Sequence, residues 1–148
     1  NPQKEFQLLA VRLLNERNEV TQNFTCDGSV ILELSCFVHS RVPGLYGYLM
    51  ISKNDGTCVL EADSYDSGEN PLDNLSVGSH MVNIAIPPRT LGCGDYNIYL
   101  NFTSSMSSKN FDVDSPGIVA SFHLDDFTSR RGNKRNGHFS LLLPWRVR

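Results

Sequence analysis

The chain reads as an all-β, antiparallel β-sandwich of jelly-roll or immunoglobulin-like type, with about eight strands, and three observations predict it. Apolar residues recur at a period of two almost everywhere, as half-buried strands require. Gly, Pro and Asn/Asp pairs interrupt that alternation at fairly regular spacing. The stretch from Ile84 to Leu100 joins two alternating segments through Pro87-Pro88 and a Leu-x-x-Gly-x-Tyr corner ending at Tyr96. Proline cannot donate to a ladder and so ends pairing. Gly94 is free to take a positive φ, and Tyr96 is placed to bury its ring and return its hydroxyl to nearby backbone, as in a tyrosine corner.

In chain order, Phe6 to Leu14 is the first expected strand, turned by Asn15-Glu16-Arg17-Asn18. From Ser29 to Ser40, Val30, Leu32, Leu34, Cys36 and Val38 point one way, and Glu33, Ser35, Phe37 and His39 the other. Leu45 to Ser52 and Thr57 to Ala62 flank Asn54-Asp55-Gly56, a hairpin signal because these residues tolerate positive φ. A polar connection from Asp63 to Asn74 precedes strands at Ser79 to Ile86 and Asp95 to Thr103. Ser104 to Gly117 reads as a loop rich in Ser and Asp. Ile118 to Phe127 and His138 to Trp145 complete the set, joined by the basic loop Arg130-Arg131-Gly132-Asn133-Lys134-Arg135. No helix is expected, and residues 1–148 read as a single domain.

Composition narrows the function classes. A net charge of −3 and a pI near 5.7 argue against a general nucleic-acid binder. No apolar stretch approaches the roughly 20 residues of a membrane helix. The four cysteines, Cys26, Cys36, Cys58 and Cys93, lack zinc-ligand spacing and are expected to be reduced. Because the chain starts at Asn1-Pro2 without Met or a signal sequence, it is expected to be a fragment of something longer.

Nothing in the motifs suggests catalysis or a metal. There is no G-x-S-x-G, H-E-x-x-H or Walker A sequence. His123-Leu124-Asp125 with His138 resembles part of an iron facial triad, but only one loop separates Asp125 from His138, too little for the distal ligand. Three sequons, at Asn23, Asn74 and Asn101, match chance expectation in so Asn- and Ser-rich a chain.

The outward strand faces carry the candidate site. Between Asp95 and Thr103 the core side is Tyr96, Ile98, Leu100 and Phe102, which leaves Asn97, Tyr99, Asn101 and Thr103 outside. The outward set from Ile118 to Asp125 is Val119, Ser121, His123 and Asp125, while Tyr46 and Tyr48 share a face of their strand. Phe37 and His39 repeat the pattern. Aromatic rings stack on sugar C–H faces, and amides, hydroxyls and imidazoles pair with vicinal hydroxyls. The candidate carbohydrate contacts are therefore Phe37, His39, Tyr46, Tyr48, Asn97, Tyr99, Asn101, Ser121 and His123, with no catalytic or metal residue.

The order of landmarks also points to a family. Ile51-Ser52-Lys53-Asn54-Asp55-Gly56 is followed by Val77-Gly78, and Ile86-Pro87 by Leu91-Gly92-Cys93-Gly94-Asp95-Tyr96. Gly137-His138-Phe139-Ser140-Leu141-Leu142-Leu143-Pro144-Trp145 ends the series. This succession, from about Val30 to Trp145, resembles the C-terminal domain of Wzt, the ATPase subunit of bacterial ABC transporters that export O-antigen polysaccharide. Lys53 stands where the pattern has Asp, and Cys93 where Pro often precedes the corner glycine.

The resemblance implies a non-catalytic, cytoplasmic β-sandwich that binds the exported glycan, often at its terminal modification. It implies no cofactor of its own, since ATP belongs to an N-terminal domain absent from this sequence. It further implies a homodimer, a membrane permease subunit as partner of the full-length protein, and a position peripheral to the inner membrane. The contrasting expectation is a secreted or cell-surface adhesion sandwich with disulfides and N-glycans, which a thiol count would separate.

Overall fold

The computed structural model describes residues 4–106 and 113–148. Among these are eight strands: β1 (Phe6–Leu14), β2 (Asn23–Thr25), β3 (Val30–Val38), β4 (Leu45–Lys53), β5 (Cys58–Asp63), β6 (Gly78–Ile86), β7 (Gly94–Ser104) and β8 (Gly117–Asp125). A three-stranded sheet in the order β1-β3-β6 lies against a five-stranded sheet in the order β2-β8-β7-β4-β5. These strands pair antiparallel throughout, except β2 with β8, which is parallel.

The alternation puts one row of each strand between the sheets. Val30, Leu32, Leu34, Cys36 and Val38 of β3 meet Tyr96, Ile98, Leu100 and Phe102 of β7, all buried. Phe6 packs on Phe102 with ring centroids 4.8 Å apart, tying β1 to the opposite sheet. Burying an apolar side chain of this size contributes about 1.5–3 kcal/mol, so these rows dominate the stability of the sandwich.

The corner forms as its residues dictate. Tyr96 is buried, stacks on Phe122 at 5.4 Å and donates its hydroxyl to the Gly92 carbonyl at 2.7 Å. Gly94 has φ +141°, strained for a side chain. Gly92 serves close packing instead. A Cβ there would meet the Gly137 carbonyl oxygen at 2.5 Å, because the C-terminal segment crosses directly over it.

Two expectations are corrected. His138 to Trp145 is not a strand; among the described residues its ladder contact is an isolated bridge between Phe139 and Leu91. The reason lies in the neighbouring strand. The outer edge of β8 is occupied by the three-residue β2, with Asn23, Phe24 and Thr25 opposite His123, Leu124 and Asp125. A chain turning straight back from the end of β8 therefore finds the edge at His123 to Asp125 already taken. β2 itself is too short to show a period, so its own residues do not announce it.

The second correction concerns β8. The β7–β8 register slips, with Ile98 opposite Ala120 but Tyr99 opposite Ile118. Such a bulge reverses which side chains face outward. Val119, expected outside, packs against the core, and Ile118 is 64% exposed in its place. Of the expected loop from Ser104 to Gly117, residues 107–112 lie outside the described residues. Beyond them, buried Asp114 accepts from the Leu8 N–H at 2.6 Å and from Lys4 at 2.7 Å, fastening the segment to β1.

Candidate functional site: the outer face of the five-stranded sheet

Sheet order decides which candidates meet. Because β8, β7 and β4 are consecutive, seven of the nine share one face: Tyr46 and Tyr48 from β4, Asn97, Tyr99 and Asn101 from β7, and Ser121 and His123 from β8. Phe37 and His39 belong to β3 and its end, in the other sheet. They lie on the far side of the sandwich, in contact with each other at 4.5 Å, so the structure does not bring them to the other seven.

Tyrosines form the middle of the face. Tyr48 and Tyr99 meet edge-on at 6.1 Å and 71°, on neighbouring strands. Tyr46 contacts Tyr65 at 5.6 Å, which extends the platform beyond the strands. Tyr65 is not among the residues that strand alternation selects, because it lies in the loop after β5. The readable signal for it is Asp63 two residues earlier, whose carboxylate caps the Tyr65 N–H at 2.8 Å and fixes the loop exit. Tyr48 donates to Glu61 of β5 at 2.7 Å, and that hydrogen bond pushes its pKa up to about 12. Its hydroxyl therefore stays neutral across the physiological range.

Beside the tyrosines is a polar network. Asn97 and Ser121 are directly opposite across β7 and β8, and the Ser121 hydroxyl donates to Asn97 Oδ1 at 2.6 Å. The Asn97 amide donates in turn to Asn54 of the β4–β5 hairpin at 3.3 Å, so the planar group is held from both ends. Asn101 is paired in register with Tyr48.

Acidic groups clasp His123 at the corner of the face. Its Nδ1 is 2.8 Å from Asp95 and its Nε2 3.0 Å from Asp125, while Asn133 donates to that same Asp125 oxygen at 3.0 Å. These carboxylates, Asp95 foremost, raise the His123 pKa above the ordinary imidazole value. With both nitrogens engaged, His123 is bound up in the protein's own network. Among the described residues no group of three or more His, Cys, Asp or Glu is arranged to hold a metal.

Behind this corner, Asp126 is buried. Arg89 grips it through both oxygens at 2.9 and 3.1 Å, and Ser129 donates its hydroxyl at 2.6 Å. The Arg89 guanidinium, with Ser129 and the Thr128 N–H, holds the Asp126 carboxyl far below the usual carboxylate range. The pair locks the Pro87-Pro88 corner to the end of β8.

The four cysteines are unpaired: Cys26 and Cys36 are buried, Cys93 is half-buried and Cys58 is exposed.

The sequence profile of the Wzt C-terminal domain family matches residues 2–131. This chain belongs to the Wzt C-terminal domain family. Among solved structures, the crystal structure of the C-terminal domain of Wzt superposes with a TM-score of 0.74 at 12% identity, covering 99% of this chain and 86% of that one. At that identity the likeness concerns the fold. A β-glucuronidase from Parabacteroides merdae aligns with 82% of this chain and 14% of its own, at 10% identity and a TM-score of 0.48. The CARDB domain of a Pyrococcus furiosus protein, solved with di-metal ions, aligns at a TM-score of 0.38 and 11% identity, over 82% of this chain and 94% of its own. Neither of these two bears on function. No curated protein matches the sequence. Among the described residues no helix is long and apolar enough to cross a membrane.

Proposed function

We propose that this Wzt C-terminal domain is a non-catalytic carbohydrate-binding module that recognises O-antigen polysaccharide, at its terminal region, for export by an ABC transporter. The observation that carries the reading is the gathering of Tyr46, Tyr48, Tyr65 and Tyr99 with the Asn97–Ser121 pair on one sheet face. Rings and oriented amides at that spacing offer stacking for pyranose C–H faces and hydrogen bonds for vicinal hydroxyls. Family membership supports the polysaccharide as the class of ligand.

In the full-length protein the module would hand its glycan to the membrane permease from the cytoplasmic side of the inner membrane, ATP being used by a separate domain. Self-association into a homodimer is part of the proposal. It is supported by the exposed apolar tail, in which Leu141, Leu142, Leu143, Trp145 and Val147 are all more than half exposed.

The test is titration of the purified domain with a panel of bacterial O-polysaccharides, followed by calorimetry and tyrosine fluorescence. Saturable binding to one serotype's glycan, and not to others, is the expected result. Flat responses across the panel would sink the proposal.

A further inference from the structure

The charges on the glycan face are lopsided. Glu61 and Asp63 of β5 lie in register beside Met50 and Tyr48 of β4. Asp95 and Asp125 flank His123 at the diagonal corner. Glu61, Asp63 and Asp95 are exposed, and Asp125 is half-buried. Against these four carboxylates, the outward rows of β2, β8, β7, β4 and β5 present no Lys or Arg among the described residues.

The nearby cations are otherwise placed, and Lys53 ends β4 on the inward row of Leu49 and Ile51. Arg12 pairs with Glu33 at 2.6 Å in the three-stranded sheet, Lys4 with Asp114, and Arg89 with Asp126. Arg130, Arg131, Lys134 and Arg135 line a hollow with Thr128, Ser129 and Leu142, in the loop that Asn133 fastens to Asp125 at the His123 corner, away from the β5 side of the face. The His123 imidazole on this face has both nitrogens turned to carboxylates, so it has no free N–H to offer an anion.

We infer that this face selects glycans without anionic substituents, neutral or amino-bearing, and rejects those carrying uronate, phosphate or sulfate groups. The inference rests on the glycan-binding reading above and adds the sign of the ligand's charge to it. A sugar stacked on the platform of Tyr48 and Tyr99 sits about one strand spacing, roughly 5 Å, from the β5 carboxylates. That is inside the ~8 Å screening length of physiological salt, so a uronate or phosphate there meets uncompensated like charge. Glu61 keeps one oxygen on the Tyr48 hydroxyl, which fixes its carboxylate beside the ring. A free amino group, in contrast, finds acceptors on both flanks. Specificity of this kind works by penalising the wrong ligand rather than by adding contacts for the right one.

The experiment uses the full chain, with bacterial O-polysaccharides sorted by formal charge and two defined probes, a chitosan hexamer and a hexagalacturonate, in ~0.05 M and ~1 M salt. Binding is followed by calorimetry and by NMR shifts at Tyr48 and Tyr99. The expected result is binding confined to uncharged or amino-bearing glycans, with chitosan perturbing the tyrosines, hexagalacturonate leaving them unmoved, and the gap narrowing at high salt. The double variant Glu61→Gln/Asp63→Asn should raise the ratio of anionic to neutral affinity about threefold to tenfold, since it removes charge and keeps shape. An unchanged ratio in that variant would overturn the assignment to these carboxylates. If an anionic glycan binds as tightly as the neutral ones, charge selection is wrong while the glycan-binding reading stands. No binding by any member would overturn both.

Discussion

The two outer faces of the sandwich have the same alternating pattern along the chain, yet the structure makes them different objects. On the three-stranded sheet, Phe37 contacts His39, and Arg12 closes on Glu33, whose neighbour across β6 is Asn83. The polar groups there largely satisfy one another. On the five-stranded sheet, three adjacent strands and one loop bring four tyrosines together beside an Asn–Ser pair. Strand adjacency is what separates them: β7 has the tyrosines of β4 on one side and Ser121 and His123 of β8 on the other, whereas β3 sits between β1 and β6, whose outward rows hold Gln7, Arg12, Ser79, Met81 and Asn83 and supply no aromatic ring. An outward aromatic becomes a platform only when the neighbouring strand supplies another.

The largest expected effect comes from a change that should not distinguish the faces. Asp126→Ala leaves Arg89 without its buried partner and should cost about 3–5 kcal/mol, read as a lower urea midpoint. The pH dependence has a definite sign. Because Arg89 depresses the Asp126 pKa, the stabilisation is present above the ordinary carboxylate value, about 4, and is lost as pH falls toward the depressed one. Acid unfolding of the wild type should therefore be steeper than that of the variant. Equal acid sensitivity would show that other carboxylates govern it.

Next comes the direct comparison of faces. Tyr99→Ala should weaken glycan binding about tenfold, equivalent to roughly 1.4 kcal/mol, with little effect on melting. Phe37→Ala, on the other sheet, should leave affinity unchanged within error. If Phe37→Ala instead weakens binding and Tyr99→Ala does not, the site is on the three-stranded sheet.

The smallest effect is a titration. His123 should show an NMR pKa above the ordinary value of about 6.5, and Asp95→Asn should bring it down. Since the folded value is raised, the contribution of His123 to stability is full below about pH 6.5 and fades as pH rises through the folded pKa. A measured pKa at or below the ordinary value would mean that the carboxylate clasp does not form in solution.

Local rules make most strand positions readable. Val30 to Val38 and Tyr96 to Phe102 alternate so cleanly that both their existence and their buried rows follow from period two. The Leu91-to-Tyr96 corner is legible because proline, glycine and tyrosine each have one good use there. Three features are not legible, for different reasons. β2 is three residues long and is defined by its partner β8 rather than by its own pattern. The β8 bulge that exchanges Val119 for Ile118 depends on register with β7. The tail from Leu141 to Trp145 has strand-like composition, but no edge in the monomer receives it among the described residues.

The candidate site divides along the same line. That Tyr46, Tyr48, Asn97, Tyr99, Asn101, Ser121, His123, Phe37 and His39 point away from the interior was determined by the sequence alone, because side-chain alternation is a property of a single extended strand. Which of them share a surface was decided only by tertiary structure. Sheet membership depends on long-range pairing between segments far apart in the chain, and no residue's own pattern records which strand will lie beside it. That pairing brought Tyr65 in from a loop, set Glu61 of β5 on Tyr48, and closed Asp95 of β7 and Asp125 of β8 on His123. It also left Phe37 and His39 on the far side of the sandwich.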